Sequence, residues 1–241
     1  MPARAVIVAA GLSSRLYPLT SETPKALLPI GSESMLGRSI RLLKANGISH
    51  IAVVTGFQSE RVREAVESEA TVIPNPFYRN CNNMGSLMMS RHFAGDEPIA
   101  YLHGDLVYSD ATLRDFFAAA KSPGGSCLDL LTAFGDVDDE AMKVRTDDGN
   151  RLVESNKAIP HAEAAGEWTG IAVIHRPSLV FDAIEKHMME VSLTDYDTAA
   201  FTTIAKSGNE IRCIPANGDP WKEIDTLDDL EDARRSFEAI A

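Results

Sequence analysis

Ala5-Val6-Ile7-Val8-Ala9-Ala10 is an unbroken apolar run that stops at Gly11. With no polar position on either face of the pleat, such a run can be a strand only where both faces are covered, as in the middle of a parallel sheet. Parallel neighbours need a crossover, and the chain supplies one. Met35-Leu36-Gly37-Arg38-Ser39-Ile40-Arg41-Leu42-Leu43 carries apolar residues at helical spacing and closes at the helix-stop pair Asn46-Gly47. Ile51-Ala52-Val53-Val54-Thr55-Gly56 then repeats the buried-strand pattern. Strand, helix and strand in this order predict a right-handed βαβ unit.

Further along, the patterns predict a helix over Glu60 to Ser68, a short strand at Thr71-Val72-Ile73, a loop from Pro74 to Asn83 and a helix from Ser86 to His92. Pro98-Ile99-Ala100-Tyr101-Leu102 is a third core strand, ending in His103-Gly104-Asp105. The second half is less regular. Leu128 to Phe134, Lys143 to Thr146, Arg151 to Glu154 and Ile171 to Ile174 read as strands, with a hairpin turn at Asp147-Asp148-Gly149-Asn150. A helix over Asp195 to Ala205, capped by Thr194 or Asp195 and stopped by Ser207-Gly208, precedes strands at Glu210 to Pro215 and Trp221 to Thr226 and an amphipathic helix over Leu227 to Ile240.

The 241 residues, 44% hydrophobic and 24% charged, have ordinary globular composition, which sets aside disorder, collagen and repeat arrays. One α/β domain spanning 1–241 is expected, with a mostly parallel central sheet flanked by helices and a smaller mixed-strand lobe. A net charge of −12 argues against a surface that tracks nucleic-acid phosphates. Cys81, Cys127 and Cys213 lack CxxC spacing and read as reduced thiols of a cytoplasmic protein. The first apolar run is too short to span a membrane, so no membrane partner is expected. Oligomeric state is left open, a homodimer included.

Chemistry concentrates at the first βα junction, Ala9-Ala10-Gly11-Leu12-Ser13-Ser14-Arg15, followed by Pro18-Leu19-Thr20 and Thr23-Pro24-Lys25. A turn of small residues exposes successive backbone N–H groups to an anion, and Arg15 and Lys25 bring positive charge to the same mouth. The alternative is an ordinary strand-to-helix turn with surface cations. The segment is neither a Walker A loop, having no Gly-Lys-Ser/Thr, nor a dinucleotide fingerprint, having one glycine.

These residues, in this order, resemble the nucleotidyltransferases that activate phosphorylated sugars and alcohols, whose opening is Ala-Ala-Gly, then Ser/Thr-Arg, Pro-Leu-Thr and Pro-Lys. The match runs in order through nearly the whole chain. It departs at Ser13, where many family members have a second glycine. The resemblance implies a Rossmann-like nucleotidyltransferase fold, with the nucleotide held by about 1–110 and the accepting substrate by about 111–241. It also implies that Arg15, Lys25 and Lys157 are catalytic. Ala9, Ala10, Gly11, Leu12, Ser13, Ser14, Gly56, Asn83, Ser86 and Gly104 are the nucleotide-contacting set.

Asp105 follows a core strand, where open α/β sheets place their ligands, and alternation along Trp221-Lys222-Glu223-Ile224-Asp225-Thr226 turns Glu223 and Asp225 to one face. Three carboxylates suit Mg²⁺, and the resemblance assigns them to it; a turn aspartate and a solvated strand face are the plain alternatives. Glu223-Ile224-Asp225 looks more like the cytidylyltransferase branch than the sugar branch. In Asn80-Cys81-Asn82-Asn83-Met84-Gly85-Ser86-Leu87, Met84 to Leu87 looks closer to enzymes acting on 2-aminoethylphosphonate, and Asn82-Asn83 to those acting on phosphocholine. Lys157 sits where the family holds the acceptor phosphate. Trp168, Asp195, Tyr196 and Asp197 offer an aromatic face and carboxylates to an ammonium group, although they also read as a core aromatic and first-turn helix acids. His103 reads as a loop histidine.

The expected partners are therefore CTP and a small phosphonate or phosphoalcohol. Sugar 1-phosphate with UTP or dTTP, a nucleotide sensor without catalysis, and a glycosyltransferase are the rivals. The last should carry Asp-x-Asp where this chain has Asp105-Leu106-Val107.

Overall fold

A computed structural model describes residues 2–121, 124–218 and 220–237. The strands are β1 (Arg4–Ala9), β2 (Pro29–Ile30), β3 (Glu33–Ser34), β4 (His50–Thr55), β5 (Thr71–Pro74), β6 (Ile99–His103), β7 (Leu106–Tyr108), β8 (Leu128–Phe134), β9 (Lys143–Thr146), β10 (Leu152–Ser155), β11 (Gly166–Ile174), β12 (Ile211–Pro215) and β13 (Trp221–Glu223). The helices are α1 (Met35–Ala45), α2 (Ser59–Val66), α3 (Asn83–Met88), α4 (Arg91–Ala94), α5 (Asp110–Ala120), α6 (Pro177–Glu190), α7 (Asp197–Lys206) and α8 (Leu227–Phe237). The last three residues expected in the final helix, 238–240, lie outside the described residues.

The apolar run behaves as its composition requires: β1 pairs in parallel with β4 on one side and β6 on the other, and β5 extends the parallel row beyond β4. Both faces are covered. Leu36, Ile40 and Leu43 of α1, Val62 of α2 and Phe116 and Phe117 of α5 pack on one side. Leu87 of α3, Val180, Phe181 and Ile184 of α6 and Phe201 and Ile204 of α7 pack on the other. The sheet continues antiparallel from β6 into β11, which also pairs with β9 and β8; β8 and β12 are parallel. This is the mostly parallel, helix-flanked sheet with mixed strands that the sequence predicts.

Several elements differ from expectation. In place of one helix from Ser86, α3 starts at Asn83 and a break separates it from α4, where the buried hydroxyl of Ser90 donates to the Leu87 carbonyl at 2.7 Å and competes with helix continuation. The strand at Trp221 stops at Glu223. Past it, Asp229 accepts from the Thr226 N–H at 2.8 Å while Thr226 Oγ1 accepts from the Asp229 N–H at 3.2 Å, a reciprocal cap that turns the chain into α8. Helix α7 starts at Asp197, after Tyr196 rather than at Asp195.

A third apolar cluster sets the positions of the charged groups singled out in the sequence. Leu16, Leu28, Val107 and Ile224 are buried together with Leu230, Ala233 and Phe237 of α8. Each of the first four lies within three residues of Arg15, Lys25, Asp105, Glu223 or Asp225, so this core fixes those side chains relative to one another.

Between β6 and Asp105, Gly104 donates its N–H to the Val8 carbonyl at 2.8 Å. A Cβ there would lie 2.7 Å from Ala9 Cβ and 2.9 Å from the Val8 oxygen, both on the rigid β1 strand. Gly104→Ala is expected to cost about 1–3 kcal/mol of stability and to displace Asp105. Chemical denaturation of the variant checks this, and unchanged stability would contradict it.

Candidate active site

Strands β1 and β6 run side by side, with Val8 opposite His103, so their carboxyl ends open into the same place. A cavity of about 380 Å³ lies there. One wall is the β1 loop: Ala9, Ala10, Gly11, Ser13, Ser14 and Arg15 line it. Ser13 has φ 52 and ψ 42, the left-handed conformation that glycine adopts without penalty, which accounts for the second glycine in similar loops. Among the described residues the N–H groups of Gly11, Leu12 and Ser13 make no backbone hydrogen bond, and a Cβ at Gly11 would meet nothing within 4 Å. The loop therefore leaves successive N–H donors without a backbone partner among the described residues, as an anion cradle requires.

Below the cradle lies a charge cluster. Lys25 Nζ is 2.8 Å from Asp105 Oδ2 and 2.8 Å from Asp225 Oδ1, and Arg15 reaches the other oxygen of Asp225 at 2.9 Å. Burial alone would lower the Lys25 pKa; the two carboxylates outweigh it and hold the ammonium charged well above its usual range. Asp105 is pulled the opposite way, burial raising it and the Lys25 charge bringing it below the ordinary carboxylate value. Glu223 completes the group. Although its surface is exposed, protein packed around the carboxylate, together with the charges of Asp105 and Asp225, pushes it up to about 7.

Oxygens of Asp105, Glu223 and Asp225 lie within 4.8 Å of one another. Asp105 Oδ1 is buried without a hydrogen-bond partner among the described residues. Three hard oxygen donors, one of them orphaned, fit a divalent cation. Ile224 is fully buried between Glu223 and Asp225, so alternation across it turns both acids to the cavity even though the strand itself ends at Glu223.

The opposite wall comes from the start of α3. Asn83 and Ser86 both line the cavity, but both are engaged: Ser86 Oγ accepts from Asn75 Nδ2 at 3.0 Å, and Asn83 Nδ2 lies 3.1 Å from His103 Nε2. Gly85 lets Cys81 approach, since a Cβ would fall 2.6 Å from that of Cys81. His103 is more than a loop histidine. Its ring lines the cavity and packs edge-on against Trp168 at 4.9 Å; burial would lower its pKa, but Asp197, 3.3 Å from Nε2, raises it to about 8.

Three expected contacts are corrected by these positions. Asp197 is fully buried, accepts from the Tyr101 hydroxyl at 2.6 Å and does not line the cavity; it sits behind His103. Asp195 pairs with His187 at 2.8 Å and faces a neighbouring hollow. Gly56 lies under Tyr78, whose ring would be 2.4 Å from a Cβ there, and is off the lining; Leu12 is off it as well, but its N–H stays among the unpaired donors of the β1 loop. Trp168 does line the cavity, with its indole N–H given to the Ile171 carbonyl at 3.0 Å. Lys157 and Tyr196 line it together, the ammonium 5.6 Å from the ring centroid. Glu140, in an acidic loop that no motif marks, is also there, 3.2 Å from Lys157 Nζ.

A sheet edge carrying an anion cradle, a lysine-bridged carboxylate cluster and free loop N–H groups defines a nucleotide-binding α/β domain built for phosphoryl-group chemistry. Residues 5–192 match the model of the MobA-like NTP transferase domain, and the chain belongs to that nucleotidyltransferase family. It is 28% identical over 235 residues to a bifunctional IPC transferase and DIPP synthase of Aquifex aeolicus, covering 96% of this chain and 51% of the relative. It is 33% identical over 127 residues to a CMP-5'-(3-aminopropyl)phosphonate synthase of Streptomyces rubellomurinus, covering 51% of this chain and 20% of the relative. The chain thus spans about half or less of these relatives' lengths. The solved CTP:phosphocholine cytidylyltransferase of Streptococcus pneumoniae superposes with a TM-score of 0.78 at 20% identity, over 100% of this chain and 99% of that one, a likeness of fold. Among the described residues, no helix is long and apolar enough to cross a membrane.

A divalent cation held by Asp105, Glu223 and Asp225 would share two of its carboxylates with Lys25. Lys25→Met is expected to cost the metal-free protein about 3–5 kcal/mol and to enlarge the rise in unfolding temperature on adding Mn²⁺. Thermal unfolding in EDTA and in Mn²⁺ measures both, and a cation response equal to that of the parent protein would refute the sharing.

Proposed function

We propose that the chain transfers CMP from CTP to a small phosphonate or phosphoalcohol bearing an amine, with 2-aminoethylphosphonate favoured, and releases pyrophosphate. The observation that carries this reading is the Lys25 bridge between Asp105 and Asp225 beneath the free N–H groups of the β1 loop. In this reading residues 1–110 hold the nucleotide and 111–241 the acceptor, within one domain. Gly11 to Ser14 and Arg15 bind the β- and γ-phosphates, and Lys25 faces the charge that builds around the α-phosphate. Asp105, Glu223 and Asp225 would hold Mg²⁺, which supplies neutralisation of the triphosphate charge.

Lys157 holds the acceptor so that one of its oxygens attacks the α-phosphorus in line. A new P–O bond forms there, the bond to the bridging oxygen breaks, and pyrophosphate leaves with the electron pair. An amine-bearing acceptor is supported by Glu140. Its carboxylate is 75% exposed and paired with Lys157; a zwitterion can exchange for that pair, giving its phosphonate to Lys157 and its ammonium to Glu140 and the face of Tyr196. The aminoalkylphosphonate in the name of the Streptomyces relative is in keeping with this choice.

Pyrophosphate release with Mg²⁺ tests the reading, using CTP, UTP, ATP, GTP and dTTP against 2-aminoethylphosphonate, phosphocholine, phosphoethanolamine and glucose 1-phosphate. Release with CTP and 2-aminoethylphosphonate is expected; release with phosphocholine alone would move the assignment to the phosphoalcohol. Turnover only with UTP or dTTP and the sugar phosphate, or CTP binding without release, would overturn it. In the active pair Asp105→Asn is expected to lower kcat by about 100-fold or more.

A further inference from the structure

Lys143 is 2% exposed, at the first position of β9, and its ammonium is not part of any ion pair that the cavity uses. Instead Nζ donates to the main-chain carbonyl of Asp139 at 3.1 Å and to that of Lys157 at 3.0 Å. The first carbonyl belongs to the loop that carries Glu140. The second belongs to the residue read as the acceptor clamp, in the turn after β10. The main chain of Lys143 joins the same two segments: its N–H donates to the Ala141 carbonyl at 2.9 Å, and its carbonyl accepts from the Asn156 N–H at 3.1 Å.

Burying an ammonium costs desolvation energy, and carbonyl partners return less of it than a carboxylate would. A methionine of similar length would avoid that cost but lose both carbonyl bonds and the charge that faces the half-buried Glu167 opposite on β11. What the ammonium uniquely supplies is a cross-link, with two donors in fixed directions that hold two loops at one separation. The loops meet at the Lys157–Glu140 pair, 3.2 Å apart, on the acceptor side of the cavity.

We propose that Lys143 is a positioning residue for the acceptor: through the carbonyls of Asp139 and Lys157 it sets the spacing of Glu140 and Lys157, and so fixes where a small phosphorylated or phosphonylated zwitterion lies. It touches neither substrate. The proposal rests on the reading of Lys157 as the acceptor clamp. Misplacement of a reacting group by about 1 Å costs up to about 100-fold, so the effect should fall on the acceptor and spare the nucleotide.

The test compares Lys143→Met, Lys143→Gln and Lys157→Met in the full chain, with 2-aminoethylphosphonate and phosphocholine as acceptors and CTP affinity measured separately. Lys143→Met is expected to raise the acceptor KM by about 10- to 100-fold, leave the CTP Kd and the unfolding temperature unchanged, and be partly rescued by Lys143→Gln, which restores amide donors. Amide hydrogen exchange should quicken at 138–141 and 156–158 and not at 11–15. An unchanged acceptor KM in Lys143→Met while Lys157→Met raises it would overturn the inference alone. No effect of Lys157→Met would overturn the clamp reading itself, and the exchange pattern would then still decide whether Lys143 links the loops. A variant that weakens CTP and acceptor equally and unfolds earlier, or exchange that quickens everywhere, would make Lys143 merely structural. If Lys143→Met does not fold, Lys143→Gln carries the same readouts.

Discussion

One ammonium ties the structure together. Lys25 contacts Asp105 just beyond β6 and Asp225 just before α8, the latter 200 residues away in sequence, each at 2.8 Å. Three acids gathered at the carboxyl ends of the strands repel one another, a repulsion that shows in the raised pKa of Glu223. Lys25 offsets that repulsion from within the cluster, while Arg15 does so from its rim. The apolar support is equally specific. Leu16, Leu28, Val107 and Ile224 pack in one cluster with α8, so the backbone beside each charged group is held by burial and the charges meet at fixed distances.

The regular part of this arrangement was legible because it rests on periodicity. β1 and β4 are apolar throughout, as strands covered on both sides must be, and α1 has both its Ser34 cap and its Asn46-Gly47 stop. The acids were legible for a related reason: with Ile224 buried, Glu223 and Asp225 must face the other way. Elements α5 and α6 were not expected, although each carries a local start signal, Ser109 accepting from the Thr112 N–H in one and Pro177 at the first turn of the other. Their buried residues also stand at helical spacing, Leu113, Phe116, Phe117 and Ala120 in α5 and Pro177, Val180, Phe181 and Ile184 in α6, so both were open to a sequence reading.

Side-chain partnership was the part that spacing could not supply. Asp195 and Asp197 stand two residues apart with equal local claims on an ammonium ligand, yet one pairs with His187 and the other is buried under His103 and Tyr101. Both partners come from other elements, α6 and β6. Glu140 was invisible for the converse reason. It sits in an acidic loop whose sequence resembles solvated surface, and the loop is tied to the segment around Lys157 by the buried Lys143 and by the Asp139–His161 pair. His103 likewise gains its place from Asp197, Asn83 and Trp168, three residues remote in sequence.

The proposed nucleotide side is thus set by local sequence: a loop that turns left-handed at Ser13, a glycine that passes close to β1, and acids set by strand alternation. The proposed acceptor side is set by contacts between distant segments, which is where members of one fold can differ in what they accept. The proposed function requires the cluster around Lys25 to take a metal-bound triphosphate. A crystal structure with CTP and Mn²⁺, read by anomalous scattering, tests that most directly. A manganese peak is expected on carboxylates of Asp105 and of Glu223 or Asp225, with triphosphate oxygens at the Gly11 to Ser14 N–H groups. Nucleotide bound elsewhere, or manganese absent from these carboxylates while CTP occupies the cavity, would contradict it.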